Sequence, residues 1–424
     1  MGIAADGGTC GGDQCSVMEQ AICFILEQMR RYGTVPFPSG RRRSAHFNFI
    51  FVPSKMPDPL QLGHRTMLKK ERCTRSGSLV WEVGIEIASV YGERVGTGMK
   101  LIDTYGRRIN YLRLSVTDRC NMRCSYCMPS HGVSKLSHGE MLSYEELVRV
   151  AREAVALGIE KIRITGGEPL VRKGVVGLIE RLADIPGLKE LVLTTNGLLL
   201  GEMALSLRRA GVRRLNISLD SLNSKTFAAI TRGGELHKVL DGIAAAEVAG
   251  FPPVKINMVV MRGINDDEVL DFASLTLQQG CTVRFIEYMP TIGEKGWDSL
   301  RIEGSEILER IGRHYPLVPL VSAEMAGPAR NFKIRGAAGA IGIITPISGH
   351  FCDSCNRIRV TAAGVVKGCL FTGEGTDLKP FLSTADNGEL REALHRIVSG
   401  KPGRHHLIDE EGEHGAIAMS QIGG

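Results

Sequence analysis

The stretch SVTDRCNMRCSYCMPS, residues 115–130, carries three cysteines, Cys120, Cys124 and Cys127, in a C-x3-C-x2-C spacing. A four-iron, four-sulfur cubane is ordinarily held by four thiolates, so a loop offering three leaves one iron open to a ligand that must react. Zinc knuckles favour paired C-x2-C units with a distant second pair, whereas here Tyr126 stands between the last two cysteines. A second triad lies downstream. Cys352 and Cys355 occur in GHFCDSCNRIRV and Cys369 in VVKGCLFTG, a C-x2-C-x13-C spacing. Two sets, each short of a fourth ligand, are hard to explain as structural metal sites, which gain folding energy from closed four-ligand shells.

Around the first triad, short β-branched runs alternate with helical stretches, the pattern of repeated βα units and a parallel sheet. Strands are predicted at 111–116, 161–165, 190–194, 214–219, 254–260 and 282–288. Six such units make a partial barrel, open enough at its side for a large substrate, with ligands collecting at the carboxyl ends of the strands. Ser143 with Glu146 forms a capping box for the helix running to Leu157. Gly158 ends that helix with a left-handed stop, and Gly211, Gly250 and Gly280 are expected to repeat it.

Three cations interrupt the apolar strands: Arg113 in YLRLSV, Arg163 in KIRITGG and Lys255 in VKINMVV. An isolated cation buried in a barrel is costly. Either barrel carboxylates pair with these groups or an anionic ligand lies inside. Arg357 and Arg359, two apart in one strand, share a face just after Cys355. No G-x4-G-K-[ST] occurs, so any phosphates are held for position rather than hydrolysed.

The first triad in this setting resembles that of radical S-adenosylmethionine (SAM) enzymes. With the second triad and Asn356-Arg357-Ile358-Arg359 directly after it, the chain is similar, from about Tyr105 to its end, to the GTP 3′,8-cyclases of molybdenum cofactor biosynthesis. The fold that resemblance implies is α/β, a partial (βα)6 TIM-like barrel of the radical SAM type with a C-terminal extension carrying a second [4Fe–4S] cluster. It divides the chain into a core at 104–330 and a cluster and GTP-binding region at 331–424. It implies two [4Fe–4S] clusters, one on Cys120, Cys124 and Cys127 and one on Cys352, Cys355 and Cys369, with SAM at the first.

Residue roles carry over in the same way. Tyr126 would lie against the SAM adenine, Gly167 of RITGGEPLVR would meet the methionine amino group, and Ser218 and Met289 would contact SAM. By residue type alone, Ser218 and Thr194 equally suit local turns, and Met289 equally suits a flexible core filler. GTP would be held by Arg113, Arg163, Thr194, Lys255, Arg357, Ile358 and Arg359, its purine reaching the open iron of the second cluster. A fraying terminus is the ordinary fate of a tail such as MSQIGG, but in the family a terminal pair like Gly423-Gly424 enters the active site. Arg357, Arg359, Gly423 and Gly424 are thus the expected catalytic residues.

The resemblance also implies a flavodoxin or ferredoxin class electron donor and cyclic pyranopterin monophosphate synthase as the next enzyme, and it leaves a homodimer open. A radical SAM peptide-modifying enzyme would share both triads but would not need cations on three barrel strands. A zinc-binding module is the non-enzyme alternative.

Composition is consistent with this reading. The 424 residues are 43% hydrophobic, without an apolar run long enough for a membrane or a basic, apolar, small-residue leader. The five cysteines outside the triads, Cys10, Cys15, Cys23, Cys73 and Cys281, show no framework spacing, as expected in a reducing cytoplasm. A net charge of +6 could mean nucleic acid, but no basic tract interleaved with aromatics follows, and a small anionic substrate explains the excess equally well. Residues 1–98 lack sustained periodicity and are expected to be a disordered extension or the product of a misassigned start, with Met99 opening the core.

Overall fold

Each barrel strand is a short apolar run, and each is followed by a helix that packs back over the sheet. The computed structural model describes residues 69–73, 79–82 and 100–424, apart from 290–295, 322–326, 373–374, 406–418 and 423–424. In the first of two units, residues 1–94, Lys69–Cys73 (β1) and Leu79–Glu82 (β2) pair antiparallel. No element was predicted there, and the remainder of the N-terminal expectation lies outside the described residues.

The second unit, residues 95–424, holds the barrel. Its strands are Tyr111–Ser115 (β3), Lys161–Thr165 (β4), Glu190–Thr195 (β5), Arg214–Ser218 (β6), Lys255–Val260 (β7) and Thr282–Glu287 (β8). All six pair in parallel in chain order, within one residue of the predicted bounds. Helix Tyr144–Ala156 begins at Ser143 with both halves of the capping box present, satisfying two end N–H groups that the helix cannot pair itself. Gly158, Gly211 and Gly250 take positive φ after their helices. Gly280 does not: the chain leaves helix Val269–Gln278 through extended Gln279, so no left-handed residue is required.

The sheet does not stop at six strands. Arg357–Val360 (β12) lies parallel beside β3, and Ala340–Ile344 (β11) lies parallel beside β8. Antiparallel strands finish both edges: Val365–Lys367 (β13) and Thr376–Asp377 (β14) on one side, Arg330–Ile334 (β10) and Leu317–Leu320 (β9) on the other. The C-terminal region is therefore built into the barrel sheet. Fully buried Leu112, Leu114, Ile162, Ile164, Leu193 and Ile217 alternate along the strands and form the core against the helices.

One buried ion pair fastens the C-terminal chain to the start of the barrel. Arg107 Nε lies 2.5 Å from Asp103 Oδ2, and its other nitrogens donate to the carbonyls of Cys352 at 2.6 Å, Pro402 at 2.7 Å and Gly403 at 3.0 Å. Removing one member leaves the other charge buried without a partner. Arg107→Met is expected to destabilise the protein by roughly 3–5 kcal/mol. Adding Asp103→Asn should recover part of that loss, and chemical denaturation of the two variants measures the difference.

Candidate active site

The first triad sits on the loop after β3, held down by the β4 loop. Gly167 N–H donates to Thr117 O and Glu168 N–H to Arg119 O, both at 2.8 Å. Contact is so close that a Cβ on Gly166 would stand 2.5 Å from Thr117 O, and one on Gly167 2.4 Å from Arg119 O. The glycine pair thus first makes room for the cysteine loop itself. Cys120 Sγ accepts from Met122 N–H at 3.4 Å. Burial pushes the Cys124 thiol well up, and Asp220, Cys127 and Cys120 push it further.

Two buried carboxylates border this loop. Glu168 accepts from Leu170 N–H, Thr195 Oγ1 and Asn196 N–H. Burial pushes its pKa up to about 7 against the pull of those bonds. Asp220 accepts from Tyr126 OH at 2.8 Å and Val259 N–H at 2.9 Å, and burial pushes it up to about 6.

A cavity of about 1090 Å³ opens from the three cysteines across the inner face of the sheet. Arg359, Arg113 and Arg163 stand directly opposite one another on β12, β3 and β4 and all line it. Two residues earlier on the same strands come Arg357, Tyr111 and Lys161, on the same face. Burial and the crowding of like charge act together on five groups of this wall. Burial lowers Arg113 well below the usual guanidinium range, with Arg359 adding to it. Burial also brings Arg359 and Arg284 down to about 10, with Arg357 the next cause for the first and Arg163 for the second. Lys255 is lowered to about 7 by burial, then by Arg284, Lys161, Arg214 and Arg163. Tyr111, despite burial, falls to about 8 because Arg163, Arg113 and Lys161 surround it. Glu190 neutralises only the rim, pairing with Lys161 at 2.6 Å and Arg214 at 2.9 Å. Arg359 Nη1 and Arg284 Nε are buried without a hydrogen-bond partner among the described residues. Together these features describe a receptor for a multiply charged anion.

The second triad is positioned by a hairpin. Cys355 precedes β12 and Cys369 follows β13, and because these strands pair antiparallel both cysteines fall at its open end. The turn between them uses Gly364 at φ +87°. Cys352 joins through a tight turn in which Cys355 N–H donates to Cys352 O at 3.0 Å. Burial raises the Cys352 thiol. Burial opposes ionisation of Cys355 too, but Arg357 and Lys401 bring it down to about 6. Arg357 Nη2 lies 3.7 Å from Cys355 Sγ and also lines the cavity, so the second triad borders the chamber that the first triad opens into.

Among the described residues, the metal-ligating atoms lying mutually within 4.8 Å are those of His350, Cys352 and His405. His405 Nε2 is already in hydrogen-bond contact, 2.8 Å from Pro346 O and 3.2 Å from His350 Nδ1.

Most of the residues expected from the sequence converge here. Tyr126, Gly167, Thr194, Ser218, Lys255 and Met289 all line the cavity. Thr194 Oγ1 accepts from Arg163 Nη1 at 2.8 Å, and Arg163 Nε also bonds the Tyr111 hydroxyl. Ile358 requires a correction. Strand alternation turns its side chain into the hydrophobic core, where it is 0% exposed and is no wall of the pocket. Gly423 and Gly424 lie outside the described residues. The tail before them does reach the site: Met419 N–H donates to Cys127 O at 3.2 Å, and Met419 lines the cavity. Arg284, Lys161 and Asp220 were not anticipated. Arg284 carried the same signal as Lys255, a cation inside an apolar strand, whereas Lys161 at a strand end and Asp220 in a loop are ordinary positions.

Comparison with known proteins decides the family. Residues 114–276 match the radical SAM superfamily model, and residues 281–407 match the model described as Molybdenum Cofactor Synthesis C. GTP 3′,8-cyclase of Geobacter sulfurreducens is 66% identical over 326 residues, covering 77% of this chain and 100% of the relative. The chain belongs to the GTP 3′,8-cyclase family. The family's enzyme from Moorella thermoacetica is 49% identical over 323 residues, covering 76% of this chain and 99% of its own. Among solved structures, Streptococcus suis SuiB bound to S-adenosylmethionine is similar at 14% identity and TM-score 0.48, covering 73% of this chain and 76% of that one. Membership of the radical SAM superfamily brings with it a [4Fe–4S] cluster and SAM, and the donor set of Cys120, Cys124 and Cys127 fits that cluster. No helix among the described residues is long and apolar enough to cross a membrane.

Proposed function

We propose that the cavity binds GTP between two [4Fe–4S] clusters and converts it to (8S)-3′,8-cyclo-7,8-dihydroguanosine 5′-triphosphate, the first step of molybdopterin biosynthesis. The observation that carries this reading is the row Arg359, Arg113, Arg163 across three adjacent parallel strands. Three guanidiniums in register repel one another, and a triphosphate of about −4 charge turns that repulsion into attraction. A peptide substrate would give no such reason for the row.

Cys120, Cys124 and Cys127 would hold the first cluster, and Cys352, Cys355 and Cys369 the second. When bound, the clusters and SAM supply the radical that takes hydrogen from the unactivated C3′ of GTP and the electron that completes C3′–C8 bond formation. The chain's own residues supply placement. Tyr126, Gly167, Ser218 and Met289 line the wall assigned to SAM. Arg113, Arg163, Thr194 and Lys255, with Arg284, line the wall assigned to the triphosphate. Arg357 and Arg359 orient the nucleotide next to the second triad. Fixing both reactants in one chamber removes the entropy of bringing them together. Gly423 and Gly424 would complete the chamber beyond Met419. A flavodoxin or ferredoxin would provide electrons, cyclic pyranopterin monophosphate synthase would consume the product, and the reducing cytoplasm would protect the clusters. Anaerobic reconstitution followed by SAM, dithionite and GTP tests the reading by mass spectrometry. Absence of a cyclised nucleotide beside 5′-deoxyadenosine would sink it.

Lys255 gives a pH signature. With a free-enzyme pKa of about 7, its ammonium is lost as pH rises above neutrality, while bound triphosphate favours the charged form. GTP affinity is therefore expected to fall between about pH 7 and 9 with net proton uptake on binding, measured by calorimetry in buffers of different ionisation enthalpy. Stability of the free protein runs the other way. The unfolded chain keeps this proton to its ordinary pKa of 10.5, so between 7 and 10.5 the unfolded state binds more protons and this contribution rises with pH. Lys255→Arg should flatten both profiles.

A further inference from the structure

The residues after helix Asn387–Ser399 form a strap over the second triad. Lys401 is only 3% exposed, and its Nζ lies 3.3 Å from Cys355 Sγ and 2.5 Å from the carbonyl oxygen of Gly368, the residue before Cys369. Arg107 grips the next two carbonyls, Pro402 and Gly403, with the same guanidinium that holds the Cys352 carbonyl. The main-chain N–H of His405 donates to the Cys352 sulfur. Five residues thus reach the immediate surroundings of all three cysteines. They bring one buried ammonium, and among the described residues its bonds go to a cysteine sulfur and a main-chain carbonyl rather than to a carboxylate. An ammonium so placed is costly unless its partner carries negative charge.

Beside the first triad stand carboxyl groups instead, Glu168 next to Cys120 and Asp220 next to Cys124. Reduction of an iron–sulfur cluster adds one negative charge, and its potential follows the charges and hydrogen bonds at its sulfurs. We propose that Lys401 is a positioning residue of the second cluster, whose ammonium at Cys355 Sγ raises that cluster's reduction potential above that of the first. This rests on the reading of Cys352, Cys355 and Cys369 as a cluster site.

The test is a spectroscopically followed redox titration of full-length protein carrying Cys120→Ala, Cys124→Ala and Cys127→Ala, so that the second cluster alone is seen. Iron and sulfide content of this protein come first: with no cluster bound, the underlying reading and the proposal fail together. With the cluster present, its midpoint is expected to lie above that of the first cluster, measured in Cys352→Ala, Cys355→Ala, Cys369→Ala protein. Lys401→Met should lower the second-cluster midpoint, and Lys401→Arg should hold it near the starting value. Cluster loss in Lys401→Met but not in Lys401→Arg also supports the role of charge. An unchanged or higher midpoint in Lys401→Met, a reversed order of the two clusters, or cluster loss in both variants overturns the proposal.

Discussion

Arg359→Met is expected to raise the GTP concentration for half-maximal turnover by roughly 10- to 100-fold, the equivalent of about 1.5–3 kcal/mol for a charge-assisted hydrogen bond. SAM cleavage in the absence of GTP should change little, because the first triad is on another loop. The direction of the stability change is as informative as the loss of affinity. Arg359 faces Arg113 in register, and its Nη1 has no hydrogen-bond partner among the described residues. Removing it relieves repulsion in the free protein, so the melting temperature without ligand should hold or rise. Stabilisation by added GTP should shrink, because ligand stabilisation follows affinity. Normal GTP affinity together with lost SAM cleavage would show that Arg359 serves the radical-generating loop instead.

Gly167→Ala is expected to remove the first cluster altogether. The new Cβ would meet the Arg119 carbonyl at 2.4 Å, and a main-chain atom of a tightly bonded loop cannot swing aside as a flexible side-chain end can. The Gly167–Thr117 and Glu168–Arg119 bonds would break together, carrying Cys120 out of place. On the proposal that each triad holds a four-iron cluster, reconstituted iron should fall from about eight to about four per chain. SAM cleavage should disappear, while GTP binding, proposed above to rest on the cations of the barrel strands, should persist. Full iron content with wild-type SAM cleavage would mean that the loop can shift without penalty, against the packing described above.

The same packing shows how far local sequence reached. Two incomplete cysteine triads, a strand rhythm with cations in it and a capping box at Ser143 are all short-range patterns, because thiolate spacing, side-chain alternation and end-group satisfaction depend on residues a few positions apart. From them the barrel strands, both triads and most of the cavity wall were legible. Ile358 stands between two cavity-facing arginines, and strand alternation for that very reason turns it to the core. Lys401 carried no local signal: it is one lysine after a helix.

By itself, the sequence determined the two three-thiolate sites, the six parallel strands and the cations that interrupt them. Only the tertiary structure decided that β12 would pair with β3, bringing Arg359 beside Arg113 and the second triad to the chamber of the first, and that Lys401 would be buried on Cys355. Strand pairing over more than two hundred residues is chosen by edge matching and core burial, which no local pattern encodes.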